Sequence, residues 1–378
     1  MAGNTQPHVW GFVVKESLPE IRGLAALPEA SASVYLDLQS VYPVVDTAEE
    51  IALRWRALAG RLMDDGADEM TVRAIGADAA RRPAAPARYV GFASQGSVRH
   101  SRVLPGTTGD DRARFGHAAE LAPLLAFEQE HPPYVKVLAD RAGADITVVP
   151  AGSAAGVATD VAGPDDEIER NAPGGWAQAR YQRRAIDSWQ HNAAAVADAV
   201  GHALRQVDAQ LLLVGGDIRA VQLLRERLDE TIHNRVIVDM LPGGRQADGS
   251  WPTQQVAVAQ AVSHFAAGRT GELIDRFHAG HGQAGNAVET LEPTLAALAD
   301  ARVETLLVVD DANDDRLAWS GPELLCATTR ELSGPDAWSG RLVDIAVRAA
   351  VLTDAAVRVV PATEGRGPAE GLGGLCRY

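Results

Sequence analysis

Long apolar runs are missing from this chain. Stretches such as "LLLV" and "TLLVVDD" stop after a few residues, too short to cross a bilayer as a helix, and they read as buried strands. Cysteine is nearly absent: Cys326 and Cys376 stand far apart in no CxxC pair, which speaks against a zinc site and against a disulfide framework. The start, "MAGNTQPHVWGFVVKE", lacks a basic residue cluster followed by a long apolar stretch, so no secretory signal is read and a cytosolic protein is expected. Positive charge is in short supply, with 35 Lys+Arg against 50 Asp+Glu and a formal charge of −15. A pI near 5.1 excludes indiscriminate binding to nucleic acid over the whole surface and restricts such contact to chosen faces. No GxGxxG, P-loop lysine, EF-hand spacing or GxSxG elbow is found, so a small-molecule enzyme reading rests on fold analogy alone, and no cofactor or metal is expected.

What is present is enough to fold. With 378 residues, 46% of them hydrophobic and 22% charged, the chain exceeds what one core usually organises, so two or three domains are expected. The first part, to about Glu130, alternates elements in α+β fashion. It has a strand at "SVYLDL", a helix at "TAEEIALRWRALAGRLMDDG" with Thr47 and Glu50 at capping-box spacing, strands at "ARYVGFAS" and "SVRHSRVLP", and a helix at "AAELAPLLAFEQE". Pro132-Pro133 reads as a hinge. Beyond it, "PYVKVLAD", "ADITVVPA" and "AGVATDVA" are strands rich in Val, Ile and Thr, and a long helix runs to about Val207. Strand, helix and strand follow at "AQLLLVGGD", "IRAVQLLRERLD" and "NRVIVDM", an alternation that implies an α/β layer with some parallel pairing. The last part is expected to hold a helix with Gly interruptions after "GGRQADGSWPT", then a helix over "NAVETLEPTLAALADA" with Asn286 as N-cap and Glu289 at the capping-box position. The strand "RVETLLVVDD", an irregular insertion, the helix "GRLVDIAVRAAVLTD" and the strand "AVRVVPA" follow.

Several residue groups invite chemistry. In "ERNAPGGWAQARYQRR", Gly174, Gly175 and Trp176 precede a helix face bearing Arg180, Arg183 and Arg184. The bland reading is a tight turn and a solvated face. The acids Asp160, Asp165, Asp166, Glu167 and Glu169 collect just before this stretch, however, while Arg170 to Ile186 holds four arginines and no acid. Such segregation suggests a docking edge for phosphates. "LLLVGGDIRAV" imitates a nucleotide loop, but Asp217 would oppose a phosphate at the helix start, and a structural turn is expected. Asp310, Asp311, Asp314 and Asp315 could hold a hard cation but are expected to form a solvated loop at a strand end. His278 and His281 lack a further clear ligand.

Three passages carry a resemblance: "NAPGGWAQARYQRRAIDSWQHNAAAVADAV", "LLLVGGDIRAVQLLRERL" followed by "NRVIVDM", and "GQAGNAVETLEPTLAALADARVETLLVVDD" with the distant "GLGGLCRY". In this order, over roughly residues 134–378, they resemble the archaeal and eukaryotic class-1 peptide-chain release factor and Pelota superfamily, and within it a bacterial, notably actinobacterial, branch. The resemblance implies a three-domain release-factor-like architecture, α/β and α+β. It comprises an N-terminal α+β domain over 1–131, a mixed-sheet middle domain over 132–245 and a C-terminal α/β sandwich over 246–378. It also implies a partner, the ribosome, entered at the A site with the middle domain toward the peptidyl-transferase centre, and a contact of the third domain with a translational GTPase such as EF-Tu.

Two departures from the family pattern shape the expected function. Asn-Ile-Lys-Ser and Tyr-x-Cys-x-x-x-Phe are missing before the hinge, which argues against codon-specific termination. Trp176 stands where release factors carry the catalytic Gln. An indole offers one N–H donor and no carbonyl acceptor, but it stacks on bases. Gly174, Gly175, Trp176, Arg180, Arg183 and Arg184 are therefore expected to contact rRNA without catalysing hydrolysis, as in ribosome hibernation. The alternative is a rescue factor with peptidyl-tRNA hydrolase activity, in which Gln178 takes the missing role; two positions along a helix turn that side chain by roughly 200°.

Overall fold

The computed structural model describes residues 18–39, 47–106, 109–140, 142–153, 155–162, 192–245, 250–281, 285–321, 325–362 and 366–377. The chain divides into two compact units, one made of 1–129 with 269–378 and the other of 130–268. The division at Gln129/Glu130 falls just before Pro132-Pro133.

The N-terminal elements are helix α1 (Leu18–Ala25), strand β1 (Ser31–Asp37), helices α2 (Thr47–Asp64) and α3 (Glu69–Ala79), strands β2 (Ala87–Ser94), β3 (Ser97–Pro105) and β4 (Arg112–Gly116), and helix α4 (Ala122–Glu130). The strands form an antiparallel sheet in the order β3-β2-β1-β4. Alternation sorts the side chains. Val34, Leu36 and Tyr89 face Leu58, Leu62 and Ile75 of α2 and α3, while Tyr35, Val90 and Phe92 face the other way.

The middle unit contains strands β5 (Tyr134–Ala139), β6 (Gly143–Val149) and β7 (Val157–Ala162), helix α5 described over 192–206, and strand β8 (Leu211–Gly216). Helices α6 (Ile218–Arg227) and α7 (Glu230–Arg235), strand β9 (Ile237–Met240) and the first part of helix α8 (Trp251–Ala279) complete it. The sheet runs β7-β6-β5-β8-β9. Hairpin pairing of β5, β6 and β7 is antiparallel, and β5, β8 and β9 are parallel, the mixed sheet that the sequence implies. Val135, Val137, Ile146, Leu212 and Val214 form one core with Val196 and Val200 of α5 and Val221 and Leu224 of α6. Gly268 and Gly271 do not interrupt α8, whose helix runs through both.

The C-terminal elements are strand β10 (Ala287–Glu289), helix α9 (Leu291–Ala299), strands β11 (Val303–Val308), β12 (Leu317–Ser320) and β13 (Trp338–Arg341), helix α10 (Leu342–Leu352), and strands β14 (Ala356–Val359) and β15 (Leu372–Cys376). The sheet order is β10-β15-β11-β14, with β12 and β13 a separate ribbon. The sheet has helices on both faces. Leu273, Ile274 and Phe277 of α8 meet Leu307 and Leu375 on one face, and α9 and α10 cover Leu306, Val308 and Val357 on the other. That second core also includes Tyr35, Phe92 and Phe127, so the N-terminal and C-terminal parts share one interior. Gln129 fastens the edge strand, donating from Nε2 to the Val357 carbonyl at 2.7 Å and accepting the Val359 N–H at 3.0 Å.

The expected helix over residues 286–301 is corrected. Residues 287–289 pair with β15, and the helix begins only at Leu291, with Thr290 at the cap position making no side-chain cap bond. Pro293 explains the late start. It lacks an N–H and fits the first turn, where no intrahelical donor is needed, but not a position seven residues inside a helix. Glu289 instead accepts the Ala369 N–H at 2.6 Å, and Glu370 supplies the missing cap by accepting the Leu291 N–H at 2.9 Å. Near the C-terminal end of the described residues, "LGGLC" is a strand paired on both sides, with β10 and β11.

The aspartate cluster is corrected in part, since Asp311 and Asp315 are exposed after β11 as expected. Asp310 is not solvated but held between Arg112 and Arg341, each at 2.8 Å. Asp314 pairs with Arg316 at 2.7 Å, and Asp311 accepts the Asn313 N–H. Around Asp310 lie Glu120 and Asp344, both nearly inaccessible, with Arg341 at 3.4 Å from Asp344 and Arg112 at 3.3 Å from Glu120. Burial pushes the Glu120 carboxyl up, and it pushes Asp344 far above the ordinary carboxylate range, with the nearby Glu120 charge adding to the effect. Raised folded-state pKa values favour the folded protein at low pH, and that contribution is lost as pH rises through them. Asp344→Asn should therefore flatten the fall in melting temperature between pH 5 and pH 8. An unaltered profile in the variant would show that Asp344 does not titrate in the native protein.

Candidate functional site

The carboxyl ends of β5, β8 and β9 lie at one edge of the middle sheet, where open α/β sheets place their sites. The hairpin strand β7 also ends there, because Ala162 pairs with Gly143 at the start of β6, and Ala144 pairs with Ala139 at the end of β5. Asn192, Ala193 and Val196 of α5 line one crevice with Ala139, Asp140 and Gly143, and with Ala220, Leu223 and Leu224 of α6. The residues flanking 163–191 on either side thus meet at the same edge, around Gly143.

Arg245, just after β9, ties this edge together. Its guanidinium reaches Asp140 at 3.0 Å, Asp145 at 3.0 Å and Asp160 at 2.7 Å, on the exit of β5 and on both hairpin strands. Burial works against the charge of Arg245, but the hydrogen bonds it donates to Asp145 and Asp140 outweigh it and raise its pKa. Asp140 also accepts the N–H groups of Ala142 and Gly143, which closes the turn into β6. In the sequence, "GGRQADG" reads only as a turn-rich separator. A single arginine signals nothing until the fold brings three aspartates to it.

The turn "VGGD" behaves as expected. Gly216 has φ +124°, and a Cβ there would sit 1.9 Å from the Ala139 carbonyl oxygen, so only glycine fits. Asp217 caps α6 by accepting the N–H groups of Arg219 and Ala220 at 2.9 and 3.2 Å. The helix start is filled by its own carboxylate and offers no phosphate site.

No group of three His, Cys, Asp or Glu that could hold a metal is found among the described residues. His278 contacts the Arg366 carbonyl at 3.0 Å and His281 pairs with Glu289 at 3.2 Å, separate partners rather than shared ligands. No helix of the described residues is long and apolar enough to cross a membrane. Gly174, Gly175, Trp176, Arg180, Arg183 and Arg184 lie outside the described residues.

Residues 133–283, which begin at the hinge and include this edge, match the family model for bacterial archaeo-eukaryotic release factor family 2. Among curated relatives, the uncharacterized protein Rv2629 of Mycobacterium tuberculosis is 25% identical over 296 residues, covering 76% of this chain and 77% of that protein. Among solved structures, the archaeal translation termination factor aRF1 aligns over 97% of both chains at 15% identity with a TM-score of 0.24. Dom34 of S. cerevisiae, described as a translation termination-like factor interacting with Hbs1, aligns over 77% of this chain and 79% of its own at 9% identity with a TM-score of 0.42. A ribosome-bound archaeal Pelota aligns over 96% of this chain and 94% of its own at 11% identity with a TM-score of 0.41. Within residues 133–283, Arg245 joins the exit of β5 to both hairpin strands, β6 and β7.

Removing that clasp should loosen the edge. Arg245→Ala leaves three aspartates facing one another, and a loss of about 1–2 kcal/mol is expected once their exposure to solvent is discounted. Arg245→Lys should recover little, because a point charge cannot fork to three carboxylates. Hydrogen exchange should quicken in β6 and β7 of the alanine variant; unchanged protection there would remove the clasp role.

Proposed function

We propose that this protein is a ribosome-associated translation factor of release-factor type that occupies the A site without hydrolysing peptidyl-tRNA, as a hibernation factor does. The match of residues 133–283 to the release factor family carries the reading. The meeting of Ala162 and Asn192, on either side of 163–191, at the carboxyl edge of the middle sheet supports it, since open α/β sheets place their sites at that edge. Trp176 replaces the amide that would position water, so the loop fills or stacks within the peptidyl-transferase centre, and Arg180, Arg183 and Arg184 hold rRNA phosphates. A function like that of the hibernation factor Balon, with EF-Tu as the GTPase partner, is the specific form proposed.

Co-sedimentation with ribosomes from stationary or cold-stressed cells tests the proposal, and binding is expected at physiological salt. Absence of ribosome association at low and at physiological salt would end it. Release of labelled peptide from stalled complexes, abolished by Gln178→Ala, would replace hibernation with the rescue reading.

A further inference from the structure

A strand at the edge of a sheet presents a row of N–H and C=O groups that another strand can take up, and proteins guard such edges with charge, proline, a bulge or a covering side chain. Most edges here are guarded. The side chain of Gln129 occupies Val357 and Val359 of β14, arginines held in ion pairs line β3 and β4, and β10 has only three residues. Strand β7, at one edge of the middle sheet, has none of these guards. Its six residues, "VATDVA", include no Lys, Arg or Pro, and their register against β6 is unbroken. Among the described residues its backbone bonds only to β6, and residues 157–160 are exposed, Val157 by 70%. The one charge on the strand, Asp160, is taken by Arg245 at 2.7 Å.

This edge is complementary to itself. A strand laid antiparallel on its own copy sits on a two-fold axis, so the contact closes at two chains. With the axis through Thr159, Thr159 stands opposite Thr159 of the second copy, Val157 opposite Val161, and Asp160 opposite Ala158. Val and Thr then meet on one side of the ribbon, and no like charges face each other. We propose that β7 pairs antiparallel with β7 of a second copy of this chain, joining the two five-stranded middle sheets into one. The other open edge of this sheet, β9, carries Asp239, and pairing it with β7 of another molecule would give open chains instead of a closed pair. A contact of six residues a side is smaller than a stable interface, so the association is weak and depends on concentration. Each chain carries a formal charge of −15, so the copies repel at low salt and pair more readily as salt screens them. That sign is opposite to the salt dependence of a contact with nucleic acid.

Sedimentation equilibrium of the full chain, from low micromolar to several hundred micromolar, tests the pairing. The average mass should rise from one chain toward two and stop there, and it should do so at lower concentration in high than in low potassium chloride. Thr159→Lys sets two ammonium groups face to face on the axis and should stay monomeric throughout, with a wild-type circular dichroism spectrum. Thr159→Val should pair several-fold more tightly, a gain that misfolding cannot imitate. Hydrogen exchange at high against low concentration locates the contact: protection should be gained in residues 157–162. A wild type that stays monomeric, a Thr159→Lys variant that associates as the wild type does, protection gained only outside β7, or growth beyond two chains would each overturn the proposal.

Discussion

Arg341→Met should destabilise the protein by about 3–5 kcal/mol at neutral pH, the cost expected when one partner of a buried ion pair is removed. The arginine side chain is 4% exposed and serves Asp310 at 2.8 Å and Asp344 at 3.4 Å, with Glu120 at 4.0 Å. Its guanidinium also donates to the carbonyls of Asp314 and Asp311. Burial opposes its charge, but Asp344 and Asp310 overcome this and raise its pKa. Methionine keeps most of the aliphatic volume, so the loss reports on charge rather than on a cavity. Without Arg341, Asp310 and Glu120 keep Arg112, with Arg114 at 3.8 Å from Glu120, and Asp344 loses the cation it is paired with. The pKa values of these carboxyls should climb further, so the deficit should be largest at pH 8 and shrink toward pH 5 as protons replace the lost cation. Asp315→Ala, at an exposed position of the same loop, should change stability by about 0.5 kcal/mol or less. Denaturant unfolding at both pH values measures the effect. A deficit that is the same at pH 5 and pH 8 would show that the carboxylates are not the source.

The second large effect concerns ribosome binding. Replacing Arg180, Arg183 and Arg184 together with alanine should weaken association and flatten its dependence on salt by about 2–3 units in log–log slope, close to one unit for each phosphate no longer neutralised. The circular dichroism spectrum of the variant should match that of the wild type. Trp176→Ala should weaken binding by about 1–3 kcal/mol through lost stacking while leaving the slope nearly unchanged. The two variants therefore separate an electrostatic contact from an apolar one. Trp176→Gln asks whether the loop already follows the path of a catalytic release factor: peptide release gained by this single change would indicate that it does. Circular dichroism and sedimentation at several salt concentrations suffice for the first comparison. An intact triple-arginine variant with wild-type affinity and slope would remove those residues from the interface.

Periodicity makes the middle sheet legible. Alternating Val, Ile and Thr in "YVKVLA" and "ADITVV" mark strands, and the 3.6-residue spacing of Val196 and Val200 marks a buried helix face. Where the sequence misleads, a non-local partner decides the outcome. "AVE" has helical company in its own neighbourhood, but β15 recruits it as a strand. Asp310 looks like a loop carboxylate until Arg112, 198 residues away, closes on it. Arg245 carries no pattern at all, because what distinguishes it is the three aspartates that the fold brings to it.

The interior shared by residues before 130 and after 268 also sets an order of events during synthesis. The middle unit is contiguous in the chain and can close its sheet as soon as residues 130–268 have emerged. The N-terminal sheet cannot bury the face bearing Tyr35 and Phe92 completely until α10 and the strands around β11 arrive, and β15, which pairs with both β10 and β11, comes last of all. Joining segments so far apart carries a large loop-closure entropy, which slows folding. The nascent chain therefore holds an apolar surface in waiting while the insert between its two halves matures, and a co-translational chaperone would find its binding site there.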